Sequence, residues 1–144
     1  MTLGNFKIKG GVQGTDFALE GASLVIKTET PLTIQNVNPS TFNTNNIRIQ
    51  QGITANITLA GVSIQNTASN DSPFNIMGSG TTCNIILAKD TVNTLNATSL
   101  YAAALHCGEG STVTIDGSGT LNAYGGHGSA GIGSGFNETA GHLI

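Results

Sequence analysis

Asn56-Ile57-Thr58-Leu59, Asn84-Ile85-Ile86-Leu87 and Thr112-Val113-Thr114-Ile115 read as one short strand written three times. Ile57, Ile85 and Val113 are evenly spaced along the chain. A second set lies upstream at nearly the same period: Ile47-Arg48-Ile49, Phe74-Asn75-Ile76, Ala103-Ala104-Leu105 and Ala130-Gly131-Ile132. A glycine separates the two strands of each unit, at Gly52, Gly80 and Gly108, where a tight corner needs positive φ or a missing Cβ. A third alternation follows at Val62-Ser63-Ile64 and Gly119-Thr120-Leu121, with a looser match from Val92 to Leu95.

Self-similarity at this period, with apolar residues alternating in each strand, predicts an all-β parallel β-helix (β-solenoid) with coils of about 28 residues and three short strands each. Parallel crossovers in this class run right-handed, so a right-handed coil is expected. Stacked coils about 4.8 Å apart turn equivalent positions into columns. Ile57, Ile85 and Val113 are expected inside, as are Leu59, Leu87 and Ile115. Thr58, Ile86 and Thr114 are expected outside, beside a polar column of Asn56, Asn84 and Thr112. The stretches Asn36 to Asn46 and Gln65 to Ser72 break the period and read as loops. The domain reading is a single solenoid over residues 1–144, with residues 1–23 as an N-terminal cap and the coils from residue 24 onward.

Composition agrees with a thin core repeated many times. The 144 residues include 20 glycines and no tryptophan, and only 9% are charged. Helix signals are nearly absent: Ala102-Ala103-Ala104-Leu105 falls in register with Phe74 to Met77 and reads as strand. A net charge of −3 with five Lys and Arg argues against nucleic acid as a partner, because no basic stripe exists to neutralise phosphates. No apolar run reaches the roughly 18 residues of a membrane span. Met1 to Gly11 lacks the charged and apolar regions of a secretory leader. The expectation is that the chain begins after a leader, or travels by another route as part of a phage particle.

Gly14-Thr15-Asp16-Phe17, Leu24-Val25-Ile26, Ile53 through Leu59, Gly61-Val62-Ser63-Ile64, Gly119-Thr120-Leu121-Asn122-Ala123 and Ala130-Gly131-Ile132-Gly133, in this order, resemble secreted bacterial carbohydrate-binding proteins. That resemblance implies a parallel β-helix that binds cellulose and pectin-like polysaccharide, located outside the cell or on its surface, and it implies calcium. The calcium ligands of that family are not placed on residues of this chain. Similar coils also serve in phage structural proteins.

An enzyme is not expected. Polysaccharide cleavage needs paired carboxylates, or a base beside acidic calcium ligands, on one face. Shifting Asp116 back by one coil sets it over Ala88, near Asp90; the preferred reading makes these corner residues, with Lys89 as a partner for Asp116. Arg48, the sole arginine, aligns with Asn75 and Ala104, with no carboxylate expected beside it. Gly126-His127-Gly128-Ser129-Ala130-Gly131 matches a dinucleotide fingerprint but is followed by a glycine-rich stretch that cannot open a helix. His106, His127 and His142 lack metal-ligand spacing. The sequons at Asn70, Asn96 and Asn137 read as accidental. Cys83 and Cys107 sit in neighbouring coils but are offset by about 13 Å of extended chain, so buried free thiols are expected rather than a disulfide.

Sugar recognition uses aromatic faces against pyranose rings and Asn or His side chains for the hydroxyls. Tyr101 and Tyr124 are the candidate platforms, with His127, Phe136 and Asn137 on nearby glycine-rich loops. The expected partner is a polysaccharide. Leu143-Ile144 falls where another inner strand should start, so end-to-end stacking on another copy or domain is also expected. An ice-binding threonine face is disfavoured because Ile86 interrupts it.

Overall fold

The computed structural model describes residues 1–66 and 71–144. Every element in it is a strand. One sheet takes, in spatial order, β1 (Thr2–Leu3), β2 (Phe6–Lys9), β5 (Leu32–Asn36), β7 (Thr54–Leu59), β10 (Thr82–Leu87), β13 (Thr112–Gly117) and β16 (His142–Leu143). A second runs β3 (Phe17–Glu20), β4 (Ser23–Ile26), β6 (Asn46–Ile49), β9 (Phe74–Ile76), β12 (Leu105–Cys107) and β15 (Ile132–Gly133). The third holds β8 (Ser63–Asn66), β11 (Val92–Ala97) and β14 (Thr120–Tyr124). Successive coils pair parallel in all three sheets, which makes a β-solenoid of three short strands per turn.

The N-terminal segment is built differently. β1 pairs antiparallel with β2, β2 with β5, and β3 with β4. These antiparallel ribbons cover the first parallel strands, so the outermost edges there belong to hairpins rather than to an open coil. Phe6 and Phe17, both fully buried, close that end of the core.

The core is the alternation of the strands made solid. β7 reads out, in, out, in, out, in, with Ala55, Ile57 and Leu59 buried. Full burial of an Ile or Leu side chain stabilises the fold by about 1.5–3 kcal/mol. The column Leu32, Ile57 and Ile85 repeats that gain once per coil, and Ile115 continues it partly buried.

That column corrects the expected one. Between β7 and β10 the expected period holds, Ile57 pairing with Ile85. Between β10 and β13 the coil is longer by two positions: Ile85 pairs with Ile115, and Val113 lies on Cys83. The outward columns move with it, giving Thr54, Thr82 and Thr112, then Asn56, Asn84 and Thr114, then Thr33, Thr58, Ile86 and Asp116. In the second sheet Ile47 pairs with Phe74 as expected, but Phe74 pairs with Leu105 rather than with Ala103, again two positions late. The strand there is therefore Leu105-His106-Cys107. Ala102 to Ala104 are buried in the connection before it instead of forming strand.

The corner glycine shifts likewise. Gly52 and Gly80 have φ of 86° and 78°, and the third member is Gly110, at 78°, rather than Gly108. The Gly80 amide donates to the Gly110 carbonyl at 3.1 Å. Asn56 and Asn84 do bond up the coils: Asn84 Nδ2 donates to Asn56 Oδ1 at 3.0 Å, and Asn56 Nδ2 to the Glu29 carbonyl at 2.9 Å.

Two buried asparagines brace the third corner. Asn93 is wholly buried. Its Oδ1 accepts the Gly61 and Val62 amides at 2.9 and 2.8 Å, and its Nδ2 donates to the Thr120 carbonyl at 3.2 Å. One side chain thus ties three coils. Asn36 ties two coils one step earlier, donating to the Ser63 carbonyl at 2.9 Å and accepting its amide at 3.2 Å.

Residues 37–45 form the expected loop between β5 and β6. Of the other expected loop, Gln65 and Asn66 belong to β8, and 67–70, with the Asn70 sequon, lie outside the described residues. Cys83 and Cys107 are free and buried, and burial, followed by the neighbouring Cys107, raises the Cys83 thiol pKa well above its ordinary value.

Candidate functional site

The connection leaving β11 reaches β12 through residues 98–104, and it does so by turning at Tyr101. Tyr101 adopts φ of 68°, a left-handed conformation rare for a bulky side chain. Strain of this kind costs on the order of 1–3 kcal/mol and collects at functional positions. Its effect is to throw the ring outward. The Tyr101 amide donates to the His127 carbonyl at 3.2 Å, and the Tyr101 carbonyl accepts the Phe136 amide at 3.3 Å.

Two consecutive coils therefore meet at one corner. The Tyr101 and Phe136 rings lie 4.9 Å apart, tilted by 40°. Both remain half exposed, at 49% and 51%. A glycine at 128 gives the rings room, since a Cβ there would stand 3.2 Å from Phe136 Cδ2. Asn137, next in the chain, also takes a left-handed φ, 59°.

The loop that carries Phe136 and Asn137 is organised by Glu138. Its Oε2 accepts the Gly135 amide at 3.0 Å and faces His106 Nε2 at 2.9 Å. Its carbonyl accepts the Ser134 hydroxyl at 3.0 Å. The hydrogen bond to His106 holds the Glu138 carboxyl below its usual pKa; burial works against this, and the Gly135 amide adds to the lowering. His106 is itself held from the other side, its Nδ1 lying 2.9 Å from Asn75 Oδ1. Beside these groups opens a hollow of about 390 Å³ lined by His106, Gly108, Glu109, Asn137, Glu138 and Thr139.

His106 belongs to an outward column with Val25, Arg48, Asn75 and Gly133. The register correction places it there; the expected occupant was Ala104. Arg48 does have a carboxylate beside it, Asp71 Oδ2 at 3.9 Å from Nη2, brought in by the connection before β9. Asn46 Nδ2 donates to the same oxygen at 2.8 Å.

Four of the five expected sugar-site residues, Tyr101, His127, Phe136 and Asn137, come together here, His127 through its backbone carbonyl. Tyr124 makes no ring contact with that pair; it lies on the outward column of the three-stranded sheet with Gln65 and Asn96 and is exposed. His106, Glu138 and Asn75 were not singled out as binding residues.

The other candidates disperse. Asp116 lies over Ile86 rather than Ala88 and accepts the Gly117 amide at 2.7 Å. Asp90 occupies a corner at φ of 59°. Residues 125–131, the dinucleotide-like stretch, connect β14 to β15. Among the described residues no three His, Cys, Asp or Glu side chains gather as metal ligands would, and no helix is long and apolar enough to cross a membrane. In comparisons with known proteins, no family model, curated protein or solved structure matches this chain.

Proposed function

We propose that this solenoid is a non-catalytic polysaccharide-binding module of an extracellular, cell-surface or virion protein, with Tyr101 and Phe136 as its sugar platform. The observation that carries this reading is the pair of half-exposed rings, fixed side by side by backbone hydrogen bonds from neighbouring coils. Pre-set aromatic faces bind pyranose rings with little ordering cost. Asn137 and Thr139 supply hydroxyl partners at the rim of the adjoining hollow.

The lowered pKa of Glu138 is that of a carboxylate held ionised by His106 and the Gly135 amide, not of a general acid.

Affinity electrophoresis in soluble polysaccharides, with pull-down on insoluble ones, tests the proposal. Tyr101→Ala and Phe136→Ala should each weaken retention roughly ten-fold, the loss of about 1–1.5 kcal/mol of ring contact. Tyr124→Ala should retain the parent's binding. No retention on any glycan, or retention indifferent to Tyr101→Ala, refutes it.

A further inference from the structure

A hollow of about 390 Å³ opens over β1, β2 and β5, with Thr2, Lys7, Lys9, Thr33 and Gln35 among its walls. It shares no residue with the ring pair or with the hollow beside Glu138. β2 alternates, so Phe6 and Ile8 enter the core while Lys7 and Lys9 both face out. Two residues of extended strand set their Cα atoms about 7 Å apart. The antiparallel register places Gln35 beside Lys7 and Thr33 beside Lys9 on one side, and Thr2 beside Lys7 on the other.

The charge of this hollow is of one sign. Lys7 and Lys9 are two of the five Lys and Arg residues of the chain, and none of its eight Asp and Glu residues lines the hollow. Among the described residues neither lysine forms an ion pair, whereas Lys27 is held by Glu20 and Arg48 faces Asp71. Two ammoniums on one face of a strand, without a counter-charge, repel; an anion seated between them turns that repulsion into attraction.

The kind of anion follows from the donors. An ammonium is a compact charge with three donors, and it lacks the planar fork by which arginine matches a carboxylate. Two ammoniums, with threonine hydroxyls and a glutamine amide beside them, suit a tetrahedral oxyanion that offers several acceptor oxygens. A hollow of this size admits a small polar ligand. Two charges are too few for the successive phosphates of a nucleic acid strand.

We propose that this hollow binds a phosphate or sulfate ester of a sugar, with the oxyanion between Lys7 and Lys9. The Thr2 and Thr33 hydroxyls and the Gln35 amide meet the remaining ester oxygens and the sugar hydroxyls. The site needs neither Tyr101 nor Phe136, so it stands or falls apart from the aromatic platform.

Calorimetric titration at low ionic strength with glucose monophosphate, glucose monosulfate, glucuronate and glucose tests it. The proteins compared are the parent, Lys7→Gln, Lys9→Gln and a control, Lys89→Gln, exposed in the turn between β10 and β11. Both esters should bind the parent, the phosphate more tightly because it carries the larger charge; a tighter sulfate would keep the site and name sulfate as its anion. Glucuronate should bind more weakly than either ester, and glucose should not bind. Lys7→Gln and Lys9→Gln should each weaken ester binding about three- to ten-fold, the loss of one exposed charge contact, and added salt should weaken it further. Lys89→Gln should bind as the parent does, and matching circular dichroism spectra show that all variants are folded. Absence of ester binding leaves the two lysines as guards of a sheet edge and overturns the proposal. Ester binding indifferent to both lysine substitutions, or matched by glucuronate or glucose, overturns it as well.

Discussion

Replacing Asn93 by leucine should destabilise the solenoid by about 3–5 kcal/mol although leucine is the more apolar residue. Asn93 lies beside Leu121 of the next coil, so a leucine there extends an apolar neighbourhood and fills a similar volume. What it removes is the acceptor for the Gly61 and Val62 amides and the donor to the Thr120 carbonyl. A buried backbone group left without a partner costs about 1–3 kcal/mol. The Val62 amide is buried and incurs the full cost; the other two are part-buried and incur less. Added apolar transfer returns at most about 1–2 kcal/mol. Asn93→Asp separates the two halves of the amide. It keeps an oxygen for the amides of Gly61 and Val62 but turns a second oxygen on the carbonyls of Thr120 and Leu59, the latter 3.5 Å from Nδ2. It should destabilise at least as much at neutral pH. Urea unfolding followed by circular dichroism and linear extrapolation measures both. If Asn93→Leu lies within about 1 kcal/mol of the parent, the asparagine is a passive filler and the argument that it ties the coils fails.

Gly117→Ala should cost more than about 3 kcal/mol by the same assay, because φ is 99° there and a Cβ would run into the backbone of Leu87. Glu138→Gln should remove an acid-side stability term. The folded carboxyl has the lower pKa, so its contribution is complete above the ordinary glutamate range and is lost as pH falls through the folded value. With the side chain 54% exposed, that contribution is below about 1 kcal/mol. Thermal unfolding of parent and variant should therefore differ at neutral pH and converge in acid; parallel curves would refute this. Cys83 should resist thiol reagents at mildly alkaline pH until the chain unfolds, since the buried site disfavours the thiolate; labelling of the native protein at the rate of a free thiol would contradict the burial.

The sequence made the coil legible and concealed its phase. Thr54 to Leu59 and Thr82 to Leu87 align at once because their connections have compatible lengths and both strands alternate alike. From Thr82 to Thr112 the same alternation fits two registers. A slip of one residue would turn every apolar side chain to solvent, but a slip of two keeps each on its own face. Thr112-Val113-Thr114-Ile115 satisfies both, and so does the glycine pair Gly108 and Gly110. Only the positive φ at Gly110 and the ladder itself choose between them. That concealed slip also hid the site. It moved His106 into the outward column next to Asn75, where Glu138 meets it, while the aligned letters showed alanine. Tyr101 was legible as a candidate platform and Phe136 as part of a glycine-rich loop, but their meeting depends on a carbonyl-to-amide bond between coils that no residue type announces.

The parallel ladder also sets how this protein would fail under load. β5, β7, β10, β13 and β16 are attached in series, each held by its neighbour's backbone. Tension applied at the C-terminus along the stacking axis loads one strand's bonds at a time, so the coils should come away like turns of thread from a spool. Each released coil, such as the one between Ile85 and Ile115, lengthens the chain by about 100 Å. An object that surrenders one coil at a time dissipates work gradually rather than in a single rupture.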